Sequence, residues 1–239
     1  MHSQAAPRAI RLLVSVRDPA EAHLAAAAGA HLVDAKDPAA GALGALSPSV
    51  IRAIVDAVGD RAITSAVAGE PETWDDFSAW VQSVASTGVR LVKVAPPSRE
   101  GGMPVGLSET LRSLPCPVVA ALFAEDYPTA RAVPDLAAAG FSGAMIDTRT
   151  KNGRRLPDLM TVSELDAFLR RCKEHGLMTG LAGSLRISDI RTLAPLGPDY
   201  LGFRGGLCEA GNRRAALAAG RIADASREIA SVLPVPACA

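Results

Sequence analysis

The sequence predicts an α/β chain folded as a single (β/α)8 TIM barrel, on three observations. Eight short apolar runs recur along the 239 residues, separated by alanine-rich segments of helical periodicity. Several of those segments close on glycine, the residue that most readily ends a helix. The length also suits one barrel, which typically needs about 250 residues. Regular alternation of strand and helix points to a parallel sheet. An open doubly wound sheet would share that alternation, but no strand-like run leads into GxGxxG, so the dinucleotide fingerprint is missing.

Taken in order, the strand-like runs are residues 11–16, 32–36, 62–68, 90–95, 118–123, 143–147, 178–181 and 200–203. Helical patterns cover 20–28, 49–58, 73–86, 163–175 and 213–232, and stop signals stand at Gly29, Gly59, Gly88, Gly140 and Gly176. One domain over 1–239 is expected, with 1–9 and 234–239 as loose tails. Trp74 and Trp80, six apart in a helical stretch, read as packing residues rather than a stacking platform.

Composition narrows the function. Lys+Arg and Asp+Glu are 25 each, a balance unsuited to coating nucleic acid or an anionic membrane. No apolar run approaches the roughly 20 residues of a membrane span, and residues 1–8 lack the apolar centre of a secretory signal. Cys116, Cys172, Cys208 and Cys238 are isolated and form no CxxC, as in reduced cytoplasmic thiols. Four histidines without HxH or HExxH spacing give no basis for a metal site, leaving only carboxylate-held magnesium open. No cofactor is expected. The partner is expected to be a small-molecule substrate, with oligomeric state undetermined and a homo-oligomer among the options.

Barrels place their chemistry at the C-terminal ends of the strands, and there the lysines gather. The chain has only four lysines among 25 basic residues. Lys36 ends the second run, Lys93 lies near the end of the fourth and Lys151 follows the sixth, while Lys173 sits mid-helix. Lysine, unlike arginine, can lose its proton when desolvated and then act as a base or form a Schiff base. Asp34 shares a strand face with Lys36 two residues on, and Asp147 precedes Lys151 by four. Any one Asp–Lys pair also fits a salt bridge that holds a loop. Three lysines and two aspartates on one rim point to catalysis.

The seventh and eighth runs lead into Gly183-Ser184 and Gly205-Gly206. Loops at these places commonly bind phosphate through backbone N–H groups, although tight turns also want glycine. Arg17, Asp18, Asp37, Arg149, Arg154 and Arg155 are further charged loop residues that could meet a second phosphate or simply face solvent. Ser15 and Thr64 either line the interior or fill the core.

With these residues in place, the sequence resembles the (5-formylfuran-3-yl)methyl phosphate synthase family. The matching stretches are LLVSV at 12–16, DAKDP at 34–38 with Gly41 and Leu43-Gly44, VKV at 92–94, Asp147-Thr148 with Lys151, GLAGSL at 180–185 and FRGGLC at 203–208. They spread over nearly the whole chain, and their combination is specific where no single piece is. The resemblance implies a barrel lyase of methanofuran biosynthesis that condenses two molecules of glyceraldehyde 3-phosphate, losing phosphate and water. It further implies Lys36 as the Schiff-base lysine, Lys93 as proton acceptor, and Asp34, Asp147 and Lys151 as supporting groups. A class I aldolase or lyase on another sugar phosphate would share these features. So would a non-catalytic barrel that binds a phosphorylated metabolite.

Overall fold

A computed structural model describes residues 9–97, 102–126 and 129–232. His2, Cys238 and the expected tail at 234–239 lie outside the described residues, as does the expected N-terminal tail except Ala9. Eight parallel strands form a closed barrel in sequence order. They are β1 (Arg11–Val16), β2 (Leu32–Ala35), β3 (Ile63–Val67), β4 (Leu91–Val94), β5 (Val118–Phe123), β6 (Gly143–Asp147), β7 (Met178–Leu181) and β8 (Tyr200–Phe203). β8 pairs β1 and completes the ring, which leaves no open edge. Nearly continuous burial along every strand matches their apolar runs, since both faces are covered.

The outer layer comprises α1 (Pro19–Ala27), α2 (Pro48–Val58), α3 (Trp74–Ala85), α4 (Leu107–Ser113), α5 (Val133–Ala138), α6 (Leu156–Leu159), α7 (Val162–Glu174), α8 (Ile190–Leu193) and α9 (Ala219–Val232). Local signals set their ends. Asp18, Ser47, Thr73 and Thr161 accept a backbone N–H at the starts of α1, α2, α3 and α7. Gly29 and Gly176, beyond α1 and α7, adopt positive φ. The helical pattern expected from 213 does not begin until Ala219. Residues before it fold back on the β8 loop, where Leu217 bridges Cys208 and the Ala218 N–H donates to Leu207 O at 2.9 Å. Those backbone groups are satisfied across the loop, so helix is not needed there. α4 and α5, of seven and six residues, carry too few turns to stand out as periodic segments.

Alternation along each strand divides the core. Leu12, Val14, Val33 and Ile146 face the helices, and Leu13, Leu32, Leu91, Val119, Met145 and Tyr200 fill the barrel. Thr64, out of phase with the interior Ser65, packs as a small buried residue on the outer side. Ser15 faces inward. Tyr200 is among the largest fully buried side chains, and its ring lies where a side chain at Gly180 would stand. Gly180→Ala should therefore cost about 1–3 kcal/mol of stability in urea denaturation, the usual range for overpacking. Adding Tyr200→Leu should recover most of that loss. Simple additivity of the two changes would show that Gly180 does not serve to seat the Tyr200 ring.

Candidate active site

Two tiers of charge stand above the apolar layers. The lower tier is Asp34 on β2 and Lys93 on β4, 0% and 2% exposed. Lys93 Nζ lies 2.7 Å from Asp34 Oδ2. Ser65 Oγ donates to the other carboxylate oxygen at 2.7 Å and Ser15 Oγ to the first at 3.1 Å. Asp34 thus faces three donors, which offsets part of the cost of burying its charge. Burial drives the Lys93 pKa down, Asp34 opposes that, and Lys36 adds repulsion; the balance lies below the ordinary lysine value.

The upper tier is Lys36, Asp147 and Lys151. Lys36, the first residue past β2, places Nζ 3.1 Å from Asp147 Oδ2 at the end of β6. Lys151 Nζ approaches Asp147 Oδ1 at 2.8 Å and donates to Thr148 O at 2.5 Å and to Thr148 Oγ1 at 2.9 Å. Burial alone would raise the Asp147 pKa, but the ammonium groups of Lys36 and Lys151 outweigh it and hold the carboxyl well below the usual range. For Lys151, burial lowers the pKa by more than Asp147 raises it. The strand parity that puts Asp34 and Lys36 on one face holds, yet they do not pair. Asp34 takes its partner from β4, two strands along the ring, and Lys36 from β6, across the barrel.

The loops after β7 and β8 complete the rim. Gly183 and Ser184 both adopt positive φ, at 114° and 52°. For serine that is a strained conformation of the kind found at functional sites. Among the described residues, the N–H groups of Gly183, Ser184 and Leu185 have no hydrogen-bond acceptor. Gly205 and Gly206 begin a short turn after β8. A side chain at Gly206 would strike Leu185 O, and one at Gly183 would come within 2.7 Å of Thr148 Cγ2. These glycines therefore also let the β6, β7 and β8 loops pack on one another.

A cavity of about 760 Å³ opens here. All the expected site residues line it except Asp34, which lies buried behind Lys93. Of the further charged residues, Arg155 lines it too, held by Asp158 at 2.9 Å and Asp189 at 2.5 Å. Asp18 caps α1, Asp37 bridges to Gly44, and Arg154 reaches Asp158 O. Arg17 pairs with Glu21 near the β8 loop. Arg149 stacks on Phe123 and joins Glu70 to Asp126 around a neighbouring cavity. Trp74 packs edge-on against Phe77, while Trp80 remains 43% exposed beside Gly69. The structure adds residues to which sequence reasoning gave no role: Ser65, Arg186, Arg204, Arg213 and Arg221. The inward phase of Tyr200 and Gly202 could have flagged Arg204. Nothing local marks Arg213. Among the described residues, no cluster of three His, Cys, Asp or Glu side chains could hold a metal, and no helix is long and apolar enough to cross a membrane.

Similar barrels among solved structures include 3-hexulose-6-phosphate synthase from Salmonella typhimurium (TM-score 0.68, 16% identity, 94% of this chain and 100% of that one). Phosphoribosyl anthranilate isomerase from Thermus thermophilus is another (TM-score 0.65, 19% identity, 94% and 100%). At such identities they speak for the fold alone: this is a TIM-barrel chain. Sequence goes further. The 4-HFC-P synthase family model matches residues 12–226. A Methanopyrus kandleri protein named (5-formylfuran-3-yl)methyl phosphate synthase is 38% identical over 85% of this chain and 91% of its own length. A Methylorubrum extorquens protein that carries this name provisionally is 54% identical over 90% and 89%. The chain belongs to the 4-HFC-P synthase family, a family of enzymes.

The lower tier yields a stability test. Asp34→Asn leaves the buried Lys93 without a carboxylate and should cost about 3–5 kcal/mol in chemical denaturation. Asp34→Asn with Lys93→Met removes both charges and should regain much of it. If the double variant were as unstable as the sum of its single changes, the pair would not be the coupled unit described.

Proposed function

We propose that this chain condenses two molecules of glyceraldehyde 3-phosphate into (5-formylfuran-3-yl)methyl phosphate through an imine on Lys36. The observation that carries the reading is the placing of three lysines, Lys36 and Lys93 buried and Lys151 partly so, on two aspartates at one cationic cavity, with the pKa of Lys93 and Lys151 lowered. Family membership supports it independently. Overall, two triose phosphates lose one phosphate and two waters.

Each chemical need has a residue to meet it. Lys36 attacks the aldehyde carbon and expels water, giving an imine that acts as an electron sink. Lys93, pressed toward its neutral form by burial, takes the proton from the adjacent carbon and leaves an enamine. The enamine carbon attacks the second aldehyde, whose oxygen takes up a proton. Lys151 is a proton donor within reach of the same carboxylate as Lys36, suited to the leaving oxygen in the eliminations. Asp147 remains anionic between Lys36 and Lys151 and fixes both. The N–H groups of Gly183 to Leu185, without an acceptor among the described residues, receive one substrate phosphate together with Gly205 and Gly206.

Borohydride added with glyceraldehyde 3-phosphate should leave an adduct on Lys36, read by peptide mass spectrometry, and incubation without it should give an ultraviolet-absorbing furan and free phosphate. An adduct without a furan chromophore would point instead to an aldolase on another sugar phosphate. No adduct on any lysine would remove the imine from the account.

Lys93→Arg keeps the charge but removes the accessible neutral form. It should lower furan formation by about 10²-fold or more, with the Lys36 adduct still formed. A base works only when neutral, so parent activity should rise with pH as Lys93 deprotonates, with a midpoint below the ordinary 10.5. That limb should vanish in Lys93→Arg. Near-normal turnover in the variant would move the base to Lys151 or Asp147.

A further inference from the structure

We propose that Arg213, with Lys151, forms a second anion subsite that holds the phosphate of the second triose, apart from the glycine loops; this rests on the preceding reading that two phosphorylated aldehydes meet in the cavity.

The case starts from charge. Eight residues lining the cavity are Lys or Arg, and one lining residue, Asp147, is acidic. Lys93 is matched by Asp34, Lys36 and Lys151 by Asp147, Arg155 by Asp158 and Asp189, and Arg204 by Glu21. Among the described residues, Arg186, Arg213 and Arg221 have no carboxylate within ion-pair distance. Arg186 and Arg221 are exposed and stay hydrated. Arg221 also lies beside the glycine loop, its Nη1 donating to Gly206 O at 3.3 Å.

Arg213 differs. It is half-buried, its Nη2 donates to Gly41 O at 3.0 Å, and among the described residues no other acceptor takes its remaining donors. A guanidinium has five N–H donors, and leaving most unmet in a partly desolvated place is costly unless an anion completes the site. Its backbone stands next to Gly205, but its side chain reaches away, toward the β2 loop. There its charge acts on Asp147 and on Lys151. The cavity thus has two anion-receptive walls. One is the backbone N–H groups of the β7 loop with Gly205 and Gly206. The other is the part of the cavity wall that carries the Arg213 fork and Lys151, and Lys36 lines the same cavity. Its volume of about 760 Å³ lies within the ordinary range for sites that enclose a whole ligand.

Glycerol 3-phosphate is a suitable probe, being a phosphate monoester with no carbonyl and so unable to form an imine. Titration calorimetry should find two molecules per parent chain and one per Arg213→Gln chain, with Arg213→Lys recovering part of the second. In parallel, Arg213→Gln should raise KM for glyceraldehyde 3-phosphate by at least about 10-fold, the loss expected for one charge-assisted hydrogen-bond pair. Borohydride labelling of Lys36 should persist. Two molecules bound in both proteins, or one in both, would overturn the subsite. Loss of Lys36 labelling in Arg213→Gln would also overturn it, by assigning Arg213 to the first substrate. A parent chain that binds two molecules yet forms no furan would instead refute the function proposed above, leaving the subsite standing.

Discussion

One lysine and one aspartate sealed inside a barrel of leucine, valine and tyrosine govern the rest of the site. Burying an ion pair costs more solvation than its attraction commonly repays. Asp34 and Lys93 therefore do not serve as a stability device, and an apolar pair of like volume would hold the barrel as well. Their placing instead fixes a chemical property. Asp34 accepts from Lys93, Ser65 and Ser15, while burial and the repelling Lys36 push Lys93 toward neutrality against the pull of Asp34 and Asp147.

The upper tier runs the other way. Asp147 is shared by two ammonium groups, so its charge is secure and both lysines are held in place. The loops are tied to match. Glu125, in the loop after β5, accepts the backbone N–H groups of Arg149 and Thr150 at 2.9 Å each, which steadies the segment leading to Lys151. Arg204 is clamped by Glu21 and by Ser15 O, Arg213 O and Ala215 O, so the β8 loop is anchored to β1. Closed barrel and anchored loops together hold these side chains in place.

The barrel was legible because both of its signals are local. Apolar runs mark strands covered on two faces, and glycine marks where helices stop. The five charged residues were legible for a related reason, since lysine is rare here and strand parity tells which side chains point inward. What parity cannot supply is the partner. Asp34 pairs with Lys93 and Lys36 with Asp147, across 59 and 111 positions of sequence, a distance at which no local rule operates. Arg213 was hidden by the same limit. Its segment has a helix-compatible composition, yet its backbone is claimed by the β8 loop through Cys208 and Leu217. That no carboxylate among the described residues pairs with Arg213 is visible only in the folded chain.

The central claim is that the barrel interior makes a lysine available as a base, and the ionisation state of that lysine can be measured directly. The chain has four lysines, Lys36, Lys93, Lys151 and Lys173, so selective 13C labelling at lysine Cε gives a spectrum simple enough to assign by single substitutions. Followed from neutral to alkaline pH, the Lys93 signal should titrate below the ordinary lysine value of 10.5. A Lys93 signal that stays protonated to pH 10.5 or beyond would show that Asp34 outweighs burial, and would contradict the account of this site.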